Sequence, residues 1–439
     1  MKEKYLINAR IIDPKNQMDE IGGLIIDING KIKAVGKKVA NGNLPTGAEK
    51  MDLKRQILIP GIVDMRVFVG EPGYEYKENF RTLSNAALSG GVTSVVSMPN
   101  TSPVIDNVSM VDFLKRRGRD KSKINIYPAA SLTKNIEGKQ MTEFGLLKRK
   151  GIIAFTDGLK TVQNPQVMSR IMNYAGESGA LIMQHAEDNI LSAGGLINEG
   201  EVSTRLGLKG IPALAEKIIV ERDLTFIEEY HCKYHIYKIA SKKTLAVIKR
   251  AKEEGKSLST GVSINNLSLN ENDIGDFKTF LKLSPPLRTE QDRLSLINAI
   301  DEGLIEVIVS DHKPEDEESK RLTFAQAATG ATGIETLLPL ALELFHNDSL
   351  KLNKIIAPIT SNPAKILGID KGSLQIGRDA DLCVVDINKP WVVNKDELLS
   401  KSKNTPIEDR KLQGQIIKTF RSEERRVGKE CRSRWSPYH

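Results

Sequence analysis

Residues 60–73 read Pro-Gly-Ile-Val-Asp-Met-Arg-Val-Phe-Val-Gly-Glu-Pro-Gly. An apolar run begins at Ile59, carries the charged residues Asp64 and Arg66, and closes in a Gly/Pro turn. Short apolar runs bounded by such turns have strand character. Seven more follow: Thr93–Met98, Ile124–Ala129, Gly151–Thr156, Ala180–Gln184, Tyr234–Ile239, Ser257–Val262 and Glu306–Val309. Helical patterns lie between most of them, for example Gln163–Gly179 and Thr244–Glu254. Strands alternating with helices over about 310 residues predict a (β/α)8 TIM-type barrel spanning 59–369. A doubly wound open sheet is the alternative, and the count of strands favours the barrel.

Outside this middle, the chain reads as β. Tyr5–Asp13, Gly23–Gly30 and Lys31–Gly36 are short apolar runs, with an Asn29-Gly30 hairpin signal between two of them. Gly372–Asp386 reads the same way. Residues 1–58 and 370–420 are therefore expected to form one small β-sandwich domain closed by both chain ends. Residues 421–439 have neither helical nor strand period. They resemble the translation of a sequencing-adapter oligonucleotide and are read as a non-native tail, with a last short strand missing beyond Phe420.

The 439 residues are 40% hydrophobic and 27% charged, as in a soluble globular protein. No run reaches the ~20 apolar residues that span a bilayer, and no signal peptide opens the chain. Three cysteines, Cys232, Cys383 and Cys431, have no pairing or zinc-site spacing, which fits a cytoplasmic protein. The net charge is +8, of which the tail supplies +3, and the remaining lysines are mixed with acids. Neither a nucleic-acid partner nor a membrane is expected.

In a barrel the chemistry sits where strands end. Polar residues follow nearly every run: Asp64 and Arg66; Asn100; Asp157; His185, Glu187 and Asp188; Lys238; Ser263, Asn265 and Asn266; Asp311 and His312. A set in matching positions implies a convergent site.

Several motifs carry a resemblance: Gly91–Thr101, Ala154–Asp157, His185–Asp188, Ile197–Glu201, Pro285–Arg288, Ser310–His312 and Lys403–Pro406. With residues 60–73, they resemble the longer bacterial dihydroorotases of the cyclic amidohydrolase superfamily, over nearly all of residues 1–420. That resemblance implies a zinc centre that activates water against a ring amide. It assigns a proton-shuttling catalytic role to Asp311. It assigns metal-ligand positions to His185, Asp157 and Asp311, and substrate-binding positions to Asn100, Ser263 and Asn265.

The sequence departs from the family where the metal would be held. The family reads Asp-x-His-x-His-x-Arg at the first strand, and here those positions are Arg66, Phe68 and Gly70. The histidine after strand 6 is replaced by Lys238. The histidine expected after strand 7 appears as Asn266, and the second one after strand 8 as Glu315. Arg66 cannot give up its proton, and Lys238 would have to lose one before it could coordinate. Zinc is therefore expected to be weakly held or absent. Arg66 and Lys238 are expected in the vacated region, paired with Asp157 and Asp311. An offset alignment would instead use His231 or His235, and His346 reads as structural.

Three functions follow. The first resembles the non-catalytic dihydroorotase-like homologues: a structural partner of aspartate transcarbamoylase in pyrimidine biosynthesis, in a homo-oligomeric state. The second is an active dihydroorotase interconverting dihydroorotate and carbamoyl-aspartate on a reduced site of His185, Asp157 and Asp311. The third is a non-enzymatic protein that holds an anion with Arg66, Lys238 and Asn100.

Overall fold

A computed structural model describes residues 2–40 and 49–421; the tail read as non-native lies outside them except for Arg421. Strands Ile62–Val67, Val92–Ser97 and Asn125–Pro128 form one parallel ladder. Leu181–Gln184, Lys233–Ile236, Leu258–Ser263 and Val307–Val309 form another. Phe155 joins the two through bridges to Ala130 and Ile182, and Val67 bridges His312 to close the ring. The result is the expected (β/α)8 barrel.

The fourth strand is shorter than the run Gly151–Thr156 suggests, with pairing centred on Phe155. The chain enters it from Gly151 at φ +83°, directly after the helix Phe144–Arg149, so the start of the run is still turning. Phe155 N–H donates to Leu181 at 2.9 Å, and Met183 N–H donates back to Phe155 at 2.8 Å.

Side chains inside the barrel, among them Val63, Met65, Val96, Met183, Tyr237 and Val309, form one apolar cluster. A larger cluster lies between the strands and the surrounding helices. The helices end where local chemistry dictates. Pro165–Ser178 starts on Asn164, whose side chain accepts Gln166 N–H, and stops at left-handed Gly179. Lys242–Glu253 starts on Ser241, which accepts Lys243 N–H.

Both chain ends build the small domain together, as a seven-stranded sheet. Lys4–Asp13 pairs with Met18–Ile26 and with Ile57–Pro60, and Leu382–Val392 lies between Ile57–Pro60 and Lys411–Phe420. Leu6, Ile11, Leu24, Leu58, Leu382 and Phe420 are part of its own core. The strand expected from Gly372 begins only at Leu382, because 372–381 is a loop pinned by Leu374 N–H on Asp13, 2.7 Å. No helix among the described residues is long and apolar enough to cross a membrane.

Candidate functional site

The end of the first strand is bent. Between the pairs Asp64–Val95 and Val67–Ser97, two residues of the first strand, Met65 and Arg66, oppose one, Val96, so the pairing shifts within the motif. A bulge of this kind re-aims side chains at barrel rims. Asp64 is fully buried and accepts Arg66 N–H at 3.1 Å and Ser310 N–H at 3.3 Å, which ties strand 1 to strand 8. Burial pushes its carboxyl up to about 6.

Arg66 then reaches across the barrel mouth, and its Nη1 donates to Asp311. Lys238, after strand 6, donates to both oxygens of the same carboxylate at 3.0 and 3.1 Å, and also to the Ser284 carbonyl. All three side chains are buried, Arg66 at 2%, Lys238 at 1% and Asp311 at 8% side-chain exposure. Asp311 holds φ +54°, a left-handed conformation that costs a non-glycine residue on the order of 1 kcal/mol. It is kept there by strand closure, in which Phe68 N–H donates to His312 at 2.9 Å. Burial pushes the Lys238 ammonium down to about 7, the Arg66 charge adds to that, and Asp311 opposes both.

The expected pairing of both cations with both aspartates is corrected by the structure: Asp311 takes both, and Asp157 takes neither. Asp157 accepts Thr133 N–H at 3.0 Å and the Thr133 hydroxyl at 2.5 Å. It is already satisfied by a neutral partner, and burial pushes its carboxyl up to about 6.

His185 is also engaged elsewhere. Its Nε2 lies 3.2 Å from the Ser284 hydroxyl and 3.7 Å from Glu187, and its buried Nδ1 has no partner. Burial holds the ring below its ordinary pKa, Glu187 opposes this, and Lys238 and Arg66 reinforce it. Tyr237 stacks on it at 6.0 Å and lies 5.6 Å from the Arg66 guanidinium carbon.

The substrate positions divide. Asn100 keeps a buried, unpartnered Oδ1, and Asn265 a buried, unpartnered Nδ2. Ser263 caps the short helix Ile264–Ser268 by accepting Asn265 N–H at 3.3 Å. Asn266 donates to the Pro286 carbonyl at 3.2 Å. Glu315 is clamped by Lys77 at 2.5 Å and Lys313 at 2.6 Å. Phe68 is buried against Tyr74 at 6.0 Å. Gly70 sits at φ +79°, and a Cβ there would lie 2.6 Å from the Glu78 carbonyl and 2.7 Å from that of Tyr74. A side chain at this position would force the surrounding backbone to move.

The alternative histidines do not reach the mouth. His235 is buried within the barrel wall, with Nδ1 2.8 Å from Ser259. His231 is the exposed, left-handed C-cap of the helix Ala213–Tyr230. His346 ends the helix Leu337–His346. His312 lies 3.6 Å from buried Glu78 and accepts Gly333 N–H. Burial raises the Glu78 carboxyl, but His312, Ser400 and Thr82 together hold it below its ordinary value.

Ser284, Tyr237 and Thr133 are the site residues that the sequence did not single out. Ser284 had a signal, because it directly precedes the Pro285–Arg288 motif. Tyr237 and Thr133 had none, since an uncharged residue beside a strand end reads as core.

The loop that carries Ser284 and the loop that follows Asp311 are fastened to each other. Lys282 donates to the Ala325 and Ala327 carbonyls, each at 2.8 Å. Lys320 donates to Thr279 at 3.0 Å and Ala328 at 2.7 Å. Gly330 N–H donates to Lys282 at 3.0 Å. Methionine at both lysines keeps the apolar stems and removes the four ammonium bonds. Hydrogen exchange of 317–330 is then expected to quicken about tenfold or more, with barrel-strand amides unchanged. An unchanged exchange pattern would show that the loops are held by packing alone.

The Lys238 shift sets a pH dependence. Its folded pKa lies below its unfolded value, so the unfolded chain binds more protons between about 7 and 10.5. The penalty is complete below about 7 and is relieved as pH rises, so this group makes stability increase with pH across that window. In Lys238→Met this contribution should vanish. The difference in unfolding free energy between wild type and variant, measured by urea titration from pH 6 to 9, should therefore rise with pH.

The residues present do not fit the metal centre that the resemblance implies. Arg66 and Lys238 already share Asp311, so an added dication would meet two positive groups at one carboxylate. Asp157 and His185 are turned to Thr133 and Ser284. Among the described residues no group of three or more His, Cys, Asp or Glu side chains could hold a metal ion.

Comparison with known proteins agrees with the fold and the motifs. Residues 55–244 match the family model described as Dihydro-orotase-like. A dihydroorotase of Syntrophus aciditrophicus (strain SB) is 41% identical over 415 residues, covering 94% of this chain and 97% of that protein. One from Wolbachia sp. subsp. Brugia malayi (strain TRS) is 41% identical over 418 residues, covering 94% and 93%. Among solved structures, L-hydantoinase from Arthrobacter aurescens superposes with a TM-score of 0.85 at 22% identity, covering 96% and 95%, which supports the fold. The barrel, its strand-end motifs and these full-length relatives together place the chain in the dihydroorotase family.

Proposed function

We propose that this dihydroorotase-family protein belongs to pyrimidine biosynthesis, does not itself hydrolyse dihydroorotate, and serves as a structural partner of aspartate transcarbamoylase. One observation carries the loss of catalysis: Arg66 and Lys238 converge on Asp311, the position of the family's proton shuttle. Both oxygens of that carboxylate are taken up by the two cations, which leaves neither free to face a substrate amide. The transcarbamoylase partner rests on the family resemblance. The test is to incubate the purified protein with excess zinc, remove free metal, and measure bound metal and dihydroorotate turnover. Metal near zero and turnover at background are expected. Stoichiometric zinc with turnover would overturn the proposal. Co-purification of the tagged chain with the transcarbamoylase encoded by the same genome tests the partner.

A second reading has its own support. The Arg66 Nε and Asn265 Nδ2 donors are buried without partners, and orphaned donors of this kind suit an anion. Thermal stabilisation by carbamoyl-aspartate without turnover would favour a sensor. No shift at saturating ligand would remove that reading.

A further inference from the structure

A second concavity lies at the opposite end of the barrel from Arg66 and Asp311. It is a cleft of about 740 Å³ lined by the N-terminal ends of strands Leu181–Gln184, Lys233–Ile236 and Leu258–Ser263 and by the helix Ser361–Leu367. That volume falls in the range of small-molecule sites, about 300–1,000 Å³. The lining is divided by chemistry. Phe155, Leu181, Tyr234, Leu258, Ile366 and Leu367 supply apolar surface. Lys148, Lys233 and Lys365 are exposed and supply positive charge.

The charges are not compensated locally. Glu306 is the one acidic residue among those lining the cleft, and Lys252 holds it. Among the described residues, neither Lys233 nor Lys365 has a carboxylate within salt-bridge reach. Lys148 folds inward, with its ammonium on the Ser178 carbonyl and 3.5 Å from where a Cβ on Gly179 would sit. Like charges gathered around an apolar cleft repel one another, and an anion between them relieves that repulsion. Lysine arms can lay their stems along an apolar body while their heads reach an acid group.

We propose that this cleft is a binding site for a small amphipathic anion, with a flat apolar body on Leu181, Leu258 and Ile366 and an acid group held by Lys148, Lys233 and Lys365. The site is independent of the barrel mouth, so it stands whether or not the protein hydrolyses anything.

Isothermal titration of the full chain with 2-naphthalenesulfonate, and in parallel with neutral 2-naphthol, tests this. Saturable binding at a single site is expected, with the sulfonate about tenfold or more tighter than the naphthol. That advantage should shrink as salt is added. The double variant Lys233→Glu/Lys365→Glu should lose the preference for the sulfonate, and because both residues are exposed its fold should persist by circular dichroism. Leu258→Trp, which fills the cleft floor, should weaken both probes. Equal affinities for the two probes would overturn the proposal. So would a sulfonate preference that survives the charge reversal, binding untouched by Leu258→Trp, or no saturable binding up to about 1 mM probe.

Discussion

Asp311→Ala is expected to lower the unfolding free energy by about 3–5 kcal/mol, the cost of leaving buried charge without its partner. The variant strands Arg66 and Lys238 together, both buried. Lys238 can escape by losing a proton, since its pKa already lies near 7. Arg66 cannot, because a guanidinium stays charged at any pH the fold survives. Most of the loss should therefore persist at pH 9. Removing all three charges is a different experiment. The triple variant Arg66→Met/Lys238→Met/Asp311→Leu replaces the ion cluster with apolar groups of similar size. It should be no less stable than wild type, and could gain about 1–4 kcal/mol. Urea unfolding of the three proteins side by side decides the matter. A loss below about 1 kcal/mol in Asp311→Ala would mean that water reaches these groups. The cluster would then be a solvated rim, and Arg66 and Lys238 would not stand in for a buried metal charge.

Much of this was legible in the chain itself, and the exceptions have physical causes. The apolar runs located the barrel strands because a strand buried by helices outside and side chains inside must be apolar along its length. The run at Gly151–Thr156 overstated its strand because hydrophobicity reports burial, not pairing, and only the region around Phe155 pairs on both sides. Gly372–Asp386 overstated its own for a similar reason, since Leu374 is buried in a loop fixed by Asp13. At the site, Arg66, Lys238 and Asp311 could be read directly, since charged residues at strand ends stand out against an apolar background. Which acid would take the cations could not. That depended on Thr133, an uncharged residue on another loop, which satisfies Asp157. Ser284 was missed although it directly precedes the Pro285–Arg288 motif, because its bond to Lys238 comes from a backbone carbonyl, and a carbonyl leaves no mark on residue type.

Placing histidine at Arg66, Phe68 and Lys238 is expected to create a metal site in the chain, without giving it a working enzyme. The triple substitution removes two cations from the mouth and adds three neutral imidazole donors. Asp311, relieved of its partners, is then free to face a dication, as three-ligand zinc sites require. Zinc uptake should rise from near zero to about one equivalent per chain, measured by plasma mass spectrometry after gel filtration. Bound zinc should also raise the unfolding free energy, by about 2.7 kcal/mol at a hundredfold excess over its dissociation constant. Turnover of dihydroorotate should stay low even so. The arginine position is Gly70 at φ +79°, with two backbone carbonyls within 2.7 Å of any Cβ. Adding Gly70→Arg should destabilise the fold and not restore a carboxylate clamp, because the Tyr74–Glu78 turn closes over that position and would have to move. Glu315, clamped by Lys77 and Lys313, is a second obstacle on the strand 8 side. If the triple variant bound no zinc, then Ser284 and Thr133, which hold His185 and Asp157 away, would be the residues that keep the metal out. If it bound zinc and turned over substrate readily, the residues at Gly70 and Glu315 would be incidental, and the proposed loss of activity would rest on Arg66, Phe68 and Lys238 alone.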